Sequence, residues 1–274
     1  MAKKHMIYLL ENIRLWKGEE KNSISFARAL ASLGEVYIND AFGVLHRENA
    51  SVCAITNYMQ SYGGLLLHRE IDALHTAIHH PERPCTIILG GAKVADKIGV
   101  MKYFWKKADQ FLLGGGPANT FCAARGMDVR NSLIDKKVIP EIKKFLHSSK
   151  IEIPLDFRFG EGKILDIGEK TAQEYQTILE NSTTIIWNGP MGFFEKQEFV
   201  NGTHAVWKGI RACAEKNKKA KIVVGGGETV ASFHALFSEK TKLPQNIFLS
   251  TGGGAMLDYL SGKKLPGIEA LKQK

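Results

Sequence analysis

The sequence predicts an α/β protein built on parallel sheets, in two bodies joined by a hinge helix, the first body incomplete. Three observations carry this. Short apolar runs alternate with stretches of helical apolar spacing along the chain, a pattern that implies parallel strands covered by helices on both faces. Four strand-to-helix passages are glycine-rich: Leu89-Gly90-Gly91-Ala92-Lys93, Leu113-Gly114-Gly115-Gly116-Pro117, Val224-Gly225-Gly226-Gly227-Glu228 and Thr251-Gly252-Gly253-Gly254-Ala255. Between the bodies, Gly63 to His80 reads as one amphipathic helix carrying Leu65, Leu66, Leu67, Ile71, Leu74 and Ile78, stopped by His80-Pro81-Glu82-Arg83-Pro84.

In chain order, the apolar runs predict strands near 6–10, 35–39, 85–89, 109–113, 163–167, 183–187, 221–224 and 247–249. Helical spacing falls near 23–33, 63–80, 94–107, 117–125, 137–148, 169–180, 203–216, 227–238 and 254–261. Residues 1–65 thus supply two strands, too few for a parallel sheet that needs both faces covered. We expect a partial first domain over 1–65, the hinge helix and linker over 66–83, and a second domain over 84–274.

Hydrophobic content of 44% and charged content of 24% over 274 residues are those of a soluble globular chain with a sizeable core. The net charge of +9 fits an anionic metabolite or a plain basic surface. No aromatic residues interleave with the lysine-rich run 215–221, so no stacking surface for nucleic acid is expected. Cys53, Cys85, Cys122 and Cys213 are widely spaced in apolar surroundings and read as reduced, buried thiols. After Lys3 and Lys4, the apolar run 6–10 stops at Glu11, too short for a signal-peptide core, and no segment approaches membrane-spanning length. A cytoplasmic monomer without membrane or nucleic-acid partners is expected. His75 and His79 share a helix face, but without a zinc-site glutamate between them they read as surface histidines.

The chemistry should lie at the carboxyl ends of the strands, where the glycine turns bring backbone N–H groups and helix N-termini together as a floor for a polyphosphate. Lys93 and Lys97 lie one helical turn apart after Gly90-Gly91 and read as a phosphate clamp; two solvated lysines are the plain alternative. The loop Trp187 to Glu195 offers Asn188 and Glu195 as hydrogen-bonding groups, and a carboxylate such as Glu195 suits ribose hydroxyls. Gly225-Gly226-Gly227-Glu228-Thr229 places a carboxylate and a hydroxyl among N–H donors, which suits a magnesium–phosphate complex or simply caps a helix. Neither a P-loop nor a clean dinucleotide fingerprint occurs. Arg14 and Arg47 follow the two strands of the first body; facing the glycine floor they would form a second anion site, and on spacing alone they are ordinary surface arginines.

These strings together resemble phosphoglycerate kinase. Leu-Leu-Glu-Asn-x-Arg at 9–14, Asn-Asp-Ala-Phe-Gly at 39–43 with His46-Arg47, and Leu-Gly-Gly-Ala-Lys-Val-x-Asp-Lys-Ile at 89–98 match the family. So do Gly-Gly-Gly-x-Ala-Asn-Thr-Phe at 114–121, Asp-Ile-Gly at 166–168, Trp-Asn-Gly-Pro-Met-Gly at 187–192, the turns at 225–229 and 250–255, and Leu-Pro-Gly-Ile-Glu-Ala-Leu at 265–271, all in family order. The resemblance implies two Rossmann-like domains and phosphoryl exchange between 1,3-bisphosphoglycerate and ADP, giving 3-phosphoglycerate and ATP with Mg2+. It implies that Lys93 steadies the transferring phosphoryl, and that Lys97, Gly91, Asn188, Pro190, Gly225, Gly226, Gly227, Glu228 and Thr229 serve the nucleotide and its metal. Gly115 and Gly116 would flank the base, Glu195 would meet the ribose, Gly252 and Gly253 would offer N–H groups to the migrating phosphate, and Arg14 and Arg47 would hold the glycerate. Two departures stand out. The family usually has Asp where this chain has Glu228, and the family's opening quarter, with its Asp-x-Asn and His-x-Gly-Arg motifs and a catalytic arginine, has no counterpart here. A nucleotide-binding remnant with little kinase activity is therefore the alternative expectation.

Overall fold

The computed structural model describes residues 6–238 and 240–272. The chain divides into two compact units: one runs to His68 and takes in the stretch from Lys264 onward, the other spans Arg69–Lys263.

The first unit opens with Met6 to Leu10 in no regular element, so the strand expected near 6–10 does not form. Ile7 and Leu9 are almost fully exposed, and no strand among the described residues pairs with this run. A short helix α1 (Lys17–Glu20) and α2 (Ile24–Ala31) follow, with Ser23 capping α2 by accepting the Phe26 N–H. Buried Glu19 ties α1 to the segment 49–51, accepting from Asn49 Nδ2 and from the N–H and hydroxyl of Ser51 at 2.6–3.1 Å. Strands β1 (Val36–Asn39) and β2 (Gln60–Gly63) pair in parallel, Val36 opposite Gln60 and Asn39 opposite Gly63. β2 was not expected: Gln60-Ser61-Tyr62-Gly63 has no apolar run to announce it. Val36, Ile38 and Tyr62 are exposed on one face of this pair.

Helix α3 (Leu65–His79) contains the division between the units. The expected single body over 84–274 is corrected at its end: the helix Pro266–Lys272 belongs to the first unit, where the Gly267 N–H donates to the Leu45 carbonyl at 3.0 Å.

The second unit is organised by a parallel sheet of β3 (Cys85–Leu89), β4 (Gln110–Leu113), β5 (Ile151–Glu152), β8 (Thr184–Asn188), β9 (Lys221–Gly225) and β10 (Ile247–Ser250), in the order β10-β9-β8-β3-β4-β5. β3 and β8 are buried at every position, as strands covered on both faces require. The expected strand at 163–167 exists but lies outside this sheet. It is β7 (Lys163–Ile167), antiparallel to β6 (Phe157–Gly160), and the sheet edge is taken by β5 instead. The cause is local: Glu161 and Gly162 both adopt positive φ (53° and 71°), the conformation of a two-residue hairpin turn.

The connecting helices are α4 (Val94–Phe104), α5 (Gly115–Ala124), α6 (Ile139–Ile142), α7 (Glu169–Glu180), α8 (Asn201–Lys216), α9 (Gly227–Leu236) and α10 (Gly254–Leu260). The helix expected over 137–148 breaks into α6 between two 3-10 turns, with Pro140 at its start removing a backbone donor. Trp187 and Trp207 meet edge to face at 4.9 Å in the core, and the buried Tyr175 hydroxyl donates to the carbonyls of Leu113 and Glu152. Because the strands are parallel, the N-termini of α4, α5, α9 and α10 gather at one sheet edge. The four cysteines are free; Cys85, Cys122 and Cys213 are buried and Cys53 half-buried.

Candidate functional site

Two of the glycine turns, at 89–93 and 113–117, interlock with each other and with the loop 188–191. The N–H groups of Gly90 and Gly91 donate to Asn188 and Pro190 carbonyls, that of Gly114 to Leu89, that of Gly115 to Met191, and that of Gly116 to Gly91, all at 2.8–3.0 Å. Gly189 holds a φ of +93° in this web, a conformation that favours glycine. A Cβ on Gly115 would lie 2.8 Å from the Gly91 carbonyl oxygen. The expected floor of N–H donors is therefore corrected at α5. The donors of Gly115 and Gly116 are spent on neighbouring turns, and Pro117 has none. Free helix ends remain at α9 and α10, whose first recorded intrahelical bonds begin at Val230 and Leu257.

Those two ends line one side of a cavity of about 310 Å³. Its wall includes Lys93, Lys97, Asn188, Glu228 and Gly253. Lys93 is the exposed N-cap of α4. Lys97 is only 5% exposed and donates to Asn188 Oδ1, while Asn188 Nδ2 donates to the Gly225 carbonyl at 3.0 Å. Burial pulls the Lys97 ammonium down to about 8; Asp96 and Glu228 pull the other way, and Lys93 adds to the depression. An ammonium held this way lacks a compensating anion, which a phosphate would supply.

Glu228 is exposed on the first turn of α9. No group of three or more His, Cys, Asp or Glu among the described residues could hold a metal ion. One carboxylate beside two helix N-termini fits a magnesium ion held chiefly by phosphate oxygens and water. Thr229 also lines the cavity, and its fully buried hydroxyl accepts the Gly189 N–H at 2.8 Å, bracing the loop. Gly226, at φ +96°, turns the chain into α9.

A second cavity of about 330 Å³ shares Gly91, Ala92 and Glu228 with the first, so the two adjoin. Its walls are mostly apolar (Leu133, Phe157, Leu165, Pro190, Met191, Phe193), and it takes in Gly115, Gly116 and exposed Glu195. A flat apolar slot beside a phosphate-sized cavity, with a carboxylate at its margin, has the layout a nucleotide needs.

The turn at Gly252-Gly253 is held by a group not anticipated from the sequence. Glu70 on α3, fully buried, accepts from the Ser250 hydroxyl, the Thr251 N–H and the Thr251 hydroxyl. Ser250 Oγ in turn takes the Gly252 N–H at 3.1 Å. The signal was present: Glu70 stands on the apolar stripe of α3, in register with buried Leu67 and Leu74. Asp166, also buried, carries no sequence signal of its own beyond Asp-Ile-Gly at 166–168. Arg14, in the turn Ile13–Leu15, and Arg47 are both exposed in the first unit. His75 and His79 are exposed, their rings 4.2 Å apart.

A family model described as phosphoglycerate kinase matches residues 1–263. The phosphoglycerate kinase of Bartonella bacilliformis is 39% identical over 97% of this chain and 72% of that protein. That of Koribacter versatilis is 41% identical over 97% and 70%. Among solved structures, phosphoglycerate kinase from Coxiella burnetii superposes with a TM-score of 0.80 at 32% identity, covering 96% of this chain and 72% of that one. The enzyme from Pyrococcus horikoshii gives 0.82 at 30%, covering 95% and 71%.

Proposed function

Since the chain belongs to the phosphoglycerate kinase family, we propose that its second unit binds Mg-ADP or Mg-ATP, and that its reaction is phosphoryl transfer between 1,3-bisphosphoglycerate and ADP. The observation that carries the nucleotide reading is the buried Lys97–Asn188 pair facing the same cavity as the N-termini of α9 and α10. The adenine enters the apolar slot past Gly115 and Gly116, and Glu195 meets the ribose. Lys97 and the first turn of α9 hold the polyphosphate, and Glu228 holds Mg2+, which neutralises phosphate charge when bound. Lys93, exposed at the cavity wall, steadies the migrating phosphoryl, with Gly253 offering its N–H; Gly252 already donates within its own turn. Catalysis of this kind is positioning plus charge stabilisation. Arg14 and Arg47 hold the glycerate. No helix among the described residues is long and apolar enough to cross a membrane; we place the protein in the cytoplasm as a monomer.

The second reading, a nucleotide-binding chain with little kinase activity, is favoured by the first unit, whose described residues hold a single parallel strand pair with Arg14 and Arg47 exposed; the chain spans about 72% of the relatives' length. The deciding experiment is an assay of this chain for ADP formation from ATP and 3-phosphoglycerate with magnesium, beside calorimetric titration with Mg-ADP. We expect binding with severely reduced turnover. Turnover at the level of full-length relatives would overturn that expectation, and absence of Mg-ADP binding would overturn the nucleotide reading.

A further inference from the structure

Asp166 has no place in the reaction just described, yet it is 1% exposed and lines the base slot where β7 meets the 190–195 loop. It lies near the end of β7, whose residues Ile164 to Ile167 form one wall. The loop 190–195 forms the facing wall, and α8 starts behind both. Three links close this triangle. The Phe193 N–H donates to the Leu165 carbonyl at 2.7 Å, joining loop to strand. The Met191 N–H donates to the buried Thr203 hydroxyl at 3.1 Å, joining loop to α8. Asp166 closes the third side: its Oδ2 accepts the Gly202 N–H at 2.8 Å and its Oδ1 the Ile167 N–H at 2.9 Å. The packing is tight as well. A Cβ on Gly192 or on Gly202 would overlap the Asp166 carboxylate. The nearest balancing charge, Arg158, is committed to Glu169 at the surface.

We propose that Asp166 is a positioning residue for the base-binding half of the site: through Gly202 and Gly192 it fixes the spacing between β7 and the 190–195 loop, and so sets affinity for the nucleoside and leaves affinity for the polyphosphate unchanged. Burial without a salt-bridge partner is a poor arrangement for stability alone, since an apolar residue of the same size would cost less to enclose. The carboxylate stands where its two oxygens tie β7 to the start of α8, behind the slot wall. The polyphosphate cavity, walled by α4, α9, α10 and Asn188-Gly189, contains none of the residues of these three links.

The inference rests on the nucleotide reading above, and the test separates the two. Calorimetric titrations with Mg-ADP and with magnesium tripolyphosphate, which carries no base, are run on wild type, Asp166→Asn and Gly192→Ala. Both variants are expected to weaken Mg-ADP about tenfold or more, through one lost or misplaced buried hydrogen bond, and to change tripolyphosphate affinity less than about twofold. A merely structural loss would lower both affinities together and leave their ratio alone. The double variant Asp166→Ala/Gly192→Ala should bind Mg-ADP no more weakly than Asp166→Ala, because the new methyl occupies the space the carboxylate left. An unchanged ADP-to-tripolyphosphate ratio in Gly192→Ala, with its melting temperature within a few degrees of wild type, overturns the proposal. If wild type binds tripolyphosphate but gains nothing from the base, the slot is not the base site and the proposal fails while the phosphate cavity stands. If wild type binds neither ligand, the nucleotide reading falls and the proposal with it.

Discussion

Lys97 carries its charge in a buried position, 5% exposed. Its folded value of about 8 lies below the ordinary 10.5 because it is buried. Between about pH 8 and 10.5 the folded state therefore holds fewer protons than the unfolded one, so stability rises with pH across that window; below 8 the penalty is fully present. A bound phosphate should restore the proton. Mg-ADP binding at pH 9 is expected to take up a proton, seen as a binding enthalpy that varies with the buffer's ionisation enthalpy. Lys97→Met should remove that dependence and weaken binding by about 1.5–3 kcal/mol; a buffer-independent enthalpy in wild type would contradict the assignment. Asp166 has the opposite sign. Burial lifts its carboxyl to about 7, against hydrogen bonds from Gly202 and Ile167 and the charge of Arg158 that lower it. The folded state then holds more protons than the unfolded one from about pH 4 to 7, and stability falls as pH rises through that range. Urea midpoints at pH 5 and pH 8 should differ in wild type and draw together in Asp166→Asn.

At the scale of elements, the glycine turns are not equivalent. A Cβ on Gly90 would overlap the Pro190 carbonyl, whereas one on Gly227 would meet nothing within 4 Å. Gly90→Ala is expected to cost about 1–3 kcal/mol or more, and Gly227→Ala to stay within about 0.5 kcal/mol, in urea unfolding. Glu70→Ala should loosen the Ser250–Gly253 turn at about 1–3 kcal/mol per orphaned polar group, with faster hydrogen exchange at Thr251 and Gly252. The strands β3, β4, β8, β9 and β10 were legible because buried parallel strands leave near-continuous apolar runs beside glycine. β5 and β2 were not: two residues make no pattern, and Gln60-Ser61-Tyr62-Gly63 is polar. β7 was seen as a strand but given to the wrong sheet, because a five-residue run does not say which neighbour it pairs with, although Glu161-Gly162 marked a hairpin turn. At the site, Lys97 and Asn188 could be read from their places after glycine turns. The spent donors of α5 could not, since they depend on which turns touch.

At the scale of the whole molecule, the two units differ in how well they close. The second has a six-stranded sheet with helices on both faces and a continuous buried cluster around Trp187 and Trp207. Among its described residues the first has one parallel strand pair, with Val36, Ile38 and Tyr62 on an exposed face, and Leu15, Trp16 and Ile24 exposed nearby in sequence. Apolar area of this kind left in water forfeits about 25 cal/mol per Å². We expect hydrogen exchange to protect the second unit as a block, and the β1–β2 pair to exchange faster. Equal protection in both would count against this. A division within the helix after Gly63 was readable from its place between the two sets of strands, and it falls at His68/Arg69. The return of the C-terminal helix to the first unit lay beyond sequence reading, because a contact between residues 45 and 267 leaves no local pattern.

The web of N–H bonds among the turns at 90, 91, 114, 115 and 116 has a consequence for reading mutational data. A residue lining a ligand cavity is ordinarily scored as a binding residue when its replacement abolishes binding. Here Gly91, Gly115 and Gly116 line the base slot while their backbones tie one turn to another. In a saturation library sorted once for cellular abundance and once for retention on an immobilised nucleotide, these positions should fail both sorts together. Lys93, Gly227 and Glu228 should fail only the second, so one motif separates into scaffold and contact.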